Sequence, residues 1–308
     1  MNRLDSYRGV IPAFITPFDE KGNYSESCAR EMIEWQLSTG IGGYYFLGSN
    51  GYGPAMDAAD RMKTLESLCK IVDGRVPVVA HIAAVSGKET VEMARHAEQV
   101  GCLAVSAVPS YYYILKPNEM HRYYSEIAEA VSIPLIIYAK TADYAPSVEM
   151  FRKLAAIPGV EGVKYTGADH YMMGRIKEAL GKDFMVYSGY DEMCLSGIMS
   201  GADAVIGGTY NLYPDLCIRA IDRLKKGDFA GAQKDYLASN AIIEVLFRYG
   251  NLQSVMRTAM GFMGINAGFN PPPFSPMDEA RIPELKDELT RLKHKLQIDD
   301  IDLFRALD

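Results

Sequence analysis

Short apolar runs alternate with amphipathic helical stretches along the first three-quarters of the chain. The apolar runs cover residues 9–16, 43–47, 76–82, 102–108, 133–138, a short stretch around Val163 that ends at Lys164, 184–188 and 202–206. Each is of strand length and rich in β-branched or aromatic residues. Between them the spacing predicts helices over 25–38, 54–72, 86–100, 117–131, 147–156, 170–180, 191–200 and 213–226. Local signals support several boundaries. Ser86 with Glu89 three residues on forms a capping-box pattern, and Gly101 stands past the end of that helix. Pro117 suits a first helical turn, and Pro134 falls at a strand start, where proline is tolerated.

Eight strand–helix units at a spacing of about 25 residues predict an α/β fold of the TIM (β/α)8 barrel type, whose usual size is about 250 residues. A doubly wound open sheet is the competitor, but it rarely needs eight such regular units. From about Asp228 onward the pattern is helical only, interrupted once at Asn270-Pro271-Pro272-Pro273. The expected organisation is a barrel over residues 1–226 and a helical C-terminal extension over 227–308, packed on the barrel.

The 308-residue chain has 48% hydrophobic and 23% charged residues, ordinary for a protein with a large core. Its net charge of -7 and the lack of a basic stripe argue against nucleic acid as a partner. No apolar run approaches membrane-spanning length, and residues 1–5 carry no charged-then-apolar signal pattern. Cysteines 28, 69, 102, 194 and 217 are scattered, without a CxxC pair, as expected in a reducing, cytoplasmic compartment. The five histidines show no pair at metal-ligand spacing, so no metal and no cofactor are expected.

In a (β/α)8 barrel the chemistry lies at the C-terminal ends of the strands. Strand two delivers Gly48-Ser49-Asn50-Gly51, strand four Pro109-Ser110-Tyr111-Tyr112-Tyr113, strand five Tyr138, strand six Lys164, strand seven Gly189-Tyr190-Asp191-Glu192, and strand eight Gly207-Gly208-Thr209-Tyr210. An ammonium at a strand end is partly desolvated, which lowers its pKa and raises the share of free amine. A free amine there can attack a ketone to form a Schiff base. Each feature also has a plain structural explanation. Lys164 can be a lysine that reaches solvent from a strand end. The tyrosines can be core or a subunit contact. Asp191-Glu192 can be acidic residues in a first helical turn. Gly48-Ser49-Asn50-Gly51-Tyr52-Gly53 can be an ordinary turn, and as a phosphate loop it is weak. Their convergence on one mouth is what favours chemistry.

Three motifs then carry a resemblance. Gly162-Val163-Lys164-Tyr165-Thr166 resembles the G-[IV]-K-x-T of the N-acetylneuraminate lyase branch of the N-acetylneuraminate lyase and dihydrodipicolinate synthase family, the pyruvate-dependent class I aldolases. Gly189-Tyr190-Asp191-Glu192 resembles that branch's G-Y-D-E, and Gly207-Gly208-Thr209-Tyr210-Asn211 is similar to its G-S-T-Y-N. The resemblance implies that Lys164 forms the Schiff base with pyruvate and that Tyr138 shuttles a proton. It implies that Ser49 links Tyr138 to Tyr111, which in the family reaches into a neighbouring subunit's site. Asn50 stands where the family's threonine holds the pyruvate carboxylate, a task left to the Ser49 and Asn50 backbone N–H groups. Thr166, Gly189, Asp191 and Glu192 would contact a polyol chain, with Gly208 in place of the family's serine. The implied assembly is a homotetramer built as a dimer of dimers.

The implied reaction is cleavage or formation of a 2-keto-3-deoxy sugar acid, with N-acetylneuraminate yielding pyruvate and N-acetylmannosamine. The alternatives are another pyruvate aldolase or hydro-lyase of the family (2-keto-3-deoxy sugar acid aldolase or dihydrodipicolinate synthase), a non-catalytic keto-acid-binding barrel, or a barrel acting on phosphorylated substrates. Departures bear on this choice. Tyr52 replaces the family's glutamate after G-x-T-G, and Tyr138-Ala139-Lys140-Thr141-Ala142-Asp143 lacks the family's Y-N-x-P proline. Asp143 occupies the place of the arginine with which the synthase branch holds a carboxylate, and a carboxylate there repels one.

Overall fold

The strands fall where the apolar runs do, and they pair in parallel. In the computed structural model, which describes residues 3–109, 111–140 and 146–308, they are β1 (Gly9–Pro12), β2 (Tyr44–Phe46), β3 (Val78–His81), β4 (Ala104–Ala107), β5 (Leu135–Lys140), β6 (Val160–Thr166), β7 (Met185–Ser188) and β8 (Ala204–Gly207). Their order is β1-β8-β7-β6-β5-β4-β3-β2. The two ends of that series meet through Phe14 N–H to Tyr45 O at 3.0 Å and Gly42 N–H to Val10 O at 2.9 Å. The sheet is therefore a closed (β/α)8 barrel. Its strands are buried at nearly every position, the pattern of a parallel sheet covered on both faces.

The helices that alternate with the strands are α1 (Glu26–Ser38), α2 (Ala58–Val72), α3 (Gly87–Gln99), α4 (Pro117–Ala130), α5 (Val148–Ala155), α6 (His170–Leu180), α7 (Cys194–Met199) and α8 (Pro214–Lys225). Four further helices follow: α9 (Phe229–Phe247), α10 (Leu252–Phe262), α11 (Ile282–Leu296) and α12 (Asp302–Arg305). Caps set several starts. The side chains of Asp57, Ser86, Ser147 and Asp169 each accept a hydrogen bond from the backbone three residues on. The expectation of a helix from residue 54 is corrected by the Asp57 cap, and α2 begins at Ala58. Pro54 lies in a separate 3-10 turn, entered through left-handed backbone at Tyr52 (φ 54°). Asp191 likewise opens a 3-10 turn, and α7 begins only at Cys194.

Two compact units are present. The first is Met1–Phe14 with Gly42–Gly207 and holds all eight strands and α2 to α7. The second is Ile15–Ile41 with Gly208–Asp308 and is helical. Within the second, fully buried Asp235 accepts two hydrogen bonds from Arg219, both at 2.9 Å, and pairs with Arg223 at 3.0 Å. A carboxylate held this way is compensated despite its burial. Asn211 of the Gly207-Gly208-Thr209-Tyr210-Asn211 motif accepts from Ile15 N–H and Gln36 Nε2, each at 3.2 Å, so it ties α1 to the chain after β8. No described helix is long and apolar enough to cross a membrane.

Candidate active site

Lys164 is the fifth residue of the seven-residue β6 and is 4% exposed. Its Nζ stands 4.3 Å from the Tyr45 ring centroid and 4.4 Å from that of Tyr138. Aromatic faces favour an ammonium, but burial opposes it and prevails. Desolvation brings the Lys164 pKa down to about 7, the Lys140 ammonium acts in the same direction, and the Asp191 carboxylate opposes both. In neutral solution a large share of this amine is unprotonated and nucleophilic.

Register places the neighbours. Tyr138 pairs with Lys164 and Lys140 with Thr166 across β5 and β6. Side chains two residues apart share a face of a strand, so Lys140 and Thr166 form the layer above Tyr138 and Lys164. Tyr138 is 6% exposed, and its ring meets Tyr45 edge-on at 6.2 Å and His81 at 5.8 Å. Tyr45 donates its hydroxyl to Ser106 Oγ at 3.0 Å. At the end of β7, Gly189 leaves no room for a side chain, because a Cβ there would lie 2.0 Å from Thr166 Oγ1. Asp191 is buried, and Glu192 is exposed.

The remaining expected residues are distributed less compactly. Ser49 is exposed in the turn after β2. Asn50 beside it is half-buried. The N–H groups of Gly51, Tyr52 and Gly53 close the turn onto Gly48 and Ser49, while the Ser49 N–H makes no backbone hydrogen bond among the described residues. Tyr111 is 38% exposed, but its hydroxyl points inward, donating to Ala83 O at 3.0 Å and lying 3.4 Å from His81 Nδ1. Gly208 begins the second unit, where its carbonyl accepts from Asn211 Nδ2 at 2.7 Å. Ser110, Thr141, Ala142 and Asp143 lie outside the described residues.

Sequence reasoning misses three members of this cluster. Tyr45 reads as ordinary core within the second run. His81 ends β3, and it links the phenols by touching both Tyr138 and Tyr111. Arg61 of α2 reaches His81 Nδ1 at 3.1 Å. An arginine only donates, so Nδ1 accepts and the His81 proton sits on Nε2. Burial, then the Arg61 and Lys164 charges, push the His81 pKa well below its usual value and hold the ring neutral. The strand-end rule that points to Lys164 also points to His81, had it been applied to strand three. Among the described residues no group of three or more His, Cys, Asp or Glu is placed to hold a metal ion.

A closed (β/α)8 barrel with a desolvated lysine on its sixth strand, roofed by two phenols, is the frame of an imine-forming barrel enzyme. The chain belongs to the Dihydrodipicolinate synthetase family, whose profile matches residues 6–292. Members of that family are pyruvate-dependent carbon–carbon lyases, and this family-level function comes with the membership. The chain is 30% identical over 282 residues to the N-acetylneuraminate lyase of Rhizobium meliloti (strain 1021), covering 91% of this chain and 93% of that one. It is 33% identical over 283 residues to the N-acetylneuraminate lyase of Citrobacter koseri, covering 91% and 95%. A catalytic-lysine mutant of the Ruminococcus gnavus sialic acid aldolase superposes with a TM-score of 0.90 at 28% identity, over 96% of this chain and all of that one (100%). A prophage protein of the dihydrodipicolinic acid synthase family from E. coli K12, solved in complex with pyruvate, superposes with a TM-score of 0.87 at 25% identity, over 93% and 99%.

Proposed function

We propose that the protein is a class I aldolase that cleaves or forms a 2-keto-3-deoxy sugar acid through an imine between Lys164 and pyruvate, with N-acetylneuraminate as the sugar acid. The observation that carries this is the buried Lys164 amine beneath Tyr45 and Tyr138, with its pKa brought to about 7. In cleavage, the Lys164 amine adds to the C2 ketone and water leaves, giving a protonated imine. The C3–C4 bond breaks and its electron pair passes into the imine to form an enamine, while the C4 hydroxyl proton goes to the Tyr138 oxygen as that phenol passes its own proton on to the keto-acid carboxylate. N-acetylmannosamine departs as the aldehyde. The enamine takes a proton at C3, and water hydrolyses the imine to release pyruvate and restore Lys164.

In this reading the Ser49 and Asn50 N–H groups hold the pyruvate carboxylate, since the turn leaves the Ser49 amide available. Thr166, Gly189, Asp191 and Glu192 face the polyol. Tyr111 is part of the proton-handling network, and the active assembly is a cytoplasmic homotetramer built as a dimer of dimers. The named activities of the relatives support the sugar acid, and the pyruvate complex of the E. coli K12 neighbour supports the keto acid.

Two measurements test it together. Incubation with pyruvate and borohydride should add one reduced pyruvyl group, located on Lys164. A panel of N-acetylneuraminate and other 2-keto-3-deoxy sugar acids, assayed for pyruvate release, should show N-acetylneuraminate turned over best. A folded sample with no adduct would sink the mechanism. Condensation of pyruvate with aspartate semialdehyde, with no release from any sugar acid, would overturn the substrate.

Asp191→Asn separates the two halves of the site. Loss of a charged acceptor should raise KM for the sugar acid by about tenfold or more. Pyruvate trapping should survive. The Asp191 charge holds the Lys164 pKa up, so removing it lets that pKa fall, and trapping should set in at lower pH. An onset moved to higher pH would contradict this placement of Asp191.

A further inference from the structure

Arg61 is charged, 3% exposed and without an acidic partner: among the described residues no carboxylate pairs with it. Its guanidinium donates instead to carbonyls, Ala83 O at 2.7 Å, Leu47 O at 3.3 Å and His81 O, and to His81 Nδ1 at 3.1 Å, while its Nε has no partner. A buried cation without an anion is an expensive arrangement, and proteins otherwise pair such groups. The carbonyls it grips belong to the chain just beyond β2 and at the end of β3, so one side chain of α2 fixes both strand ends.

The Leu47 contact is the informative one. Leu47 sits in left-handed backbone (φ 58°), a conformation costly for a large side chain. Gly53 packs so closely there that a Cβ would fall 1.9 Å from Leu47 O. The residues that follow Leu47 are Gly48-Ser49-Asn50-Gly51, and the Ser49 and Asn50 amides are the proposed carboxylate holders. The uncompensated charge therefore contacts the backbone two residues before Ser49, at the start of the turn that carries the proposed carboxylate site. In a desolvated interior its field reaches across that turn with little screening.

We propose that Arg61 supplies the counter-charge for the substrate carboxylate from behind the turn that follows Leu47, without touching it, and so acts as a positioning residue for the keto acid. The inference rests on the imine reading of Lys164. It predicts discrimination by charge: a 2-keto acid is favoured over its neutral ester because the ester has no carboxylate to answer Arg61.

The experiment compares pyruvate with methyl pyruvate in reductive trapping on Lys164, read by intact mass against ligand concentration, in the wild-type chain and in R61M, R61Q and R61K. R61Q keeps a donor for the Ala83 carbonyl and loses the charge; R61K keeps the charge. In R61M and R61Q the half-saturating pyruvate concentration should rise tenfold or more, with methyl pyruvate changed less than twofold, and R61K should retain the wild-type preference. Equal losses for both ligands would overturn the proposal, since a merely structural arginine acts on both alike. Failure of both neutral variants to fold, checked by circular dichroism, would overturn it too, because the charge would then serve the scaffold. A wild-type chain that traps neither ligand would instead overturn the imine reading beneath it.

Discussion

Lys164→Ala should abolish pyruvate trapping and lower turnover of the sugar acid by a factor on the order of 10⁴ or more, the scale on which loss of a covalent nucleophile is felt. The fold should persist, since the variant removes a buried amine that the barrel desolvates at a cost. The wild-type chain supplies the matching control. Below pH 7 Lys164 holds its proton and cannot attack; as pH rises through about 7 the free amine accumulates, so the trapping rate should climb through that region and then level. A lysine of ordinary pKa would still be gaining reactivity near pH 10. A trapping profile that keeps rising to pH 10 would mean that burial does not set this amine's acidity.

Tyr138→Phe has the second largest expected effect, and it separates imine formation from bond cleavage. The phenyl ring keeps its contacts with His81 at 5.8 Å and Tyr45 at 6.2 Å, so stability should change little. Lys164 keeps an aromatic face 4.4 Å away, so pyruvate trapping should remain near wild type. Without the hydroxyl, the C4 proton has no acceptor, and turnover should drop by about 10²–10⁴-fold, the usual contribution of a positioned proton-transfer group. Full turnover in a Tyr138→Phe variant that still traps pyruvate would move the proton transfer to another residue.

The barrel was legible in the sequence because parallel strands buried on both faces leave apolar runs, and because caps such as Ser86 and Asp169 sit where the helical pattern starts. The 54–72 helix was misplaced at its start because Pro54 mimics a first-turn proline, whereas the side-chain cap of α2 is Asp57, which accepts from the Asp60 N–H. Lys164 was legible because the apolar run closes on it, but β6 continues to Thr166, and it is burial inside the barrel, deeper than a strand end gives, that depresses its pKa. Tyr45 was not, since a tyrosine in an apolar run looks like core until the lysine beneath it is seen. Arg61 hides for a different reason. Its neighbours Asp60 and Lys63 make the stretch look solvated, although Leu65, Leu68 and Val72 recur on its own helical face, and all of them are buried with it. A charge on the apolar stripe of a helix is the signal that could have found it. His81 required only that the strand-end reading be extended to β3.

The barrel is joined between β1 and β2 by the Phe14–Tyr45 and Gly42–Val10 hydrogen bonds, and Tyr45 is also the ring that covers Lys164. Short stretches of backbone pairing are where folded proteins breathe most readily. An opening of this join that carried Tyr45 away would admit water beside Lys164, where a hydrated amine takes up a proton and reverts to an inert ammonium. The lifetime of the reactive amine is thus coupled to how tightly two strands stay zipped, and a substitution that loosens this join will dull the nucleophile without touching it.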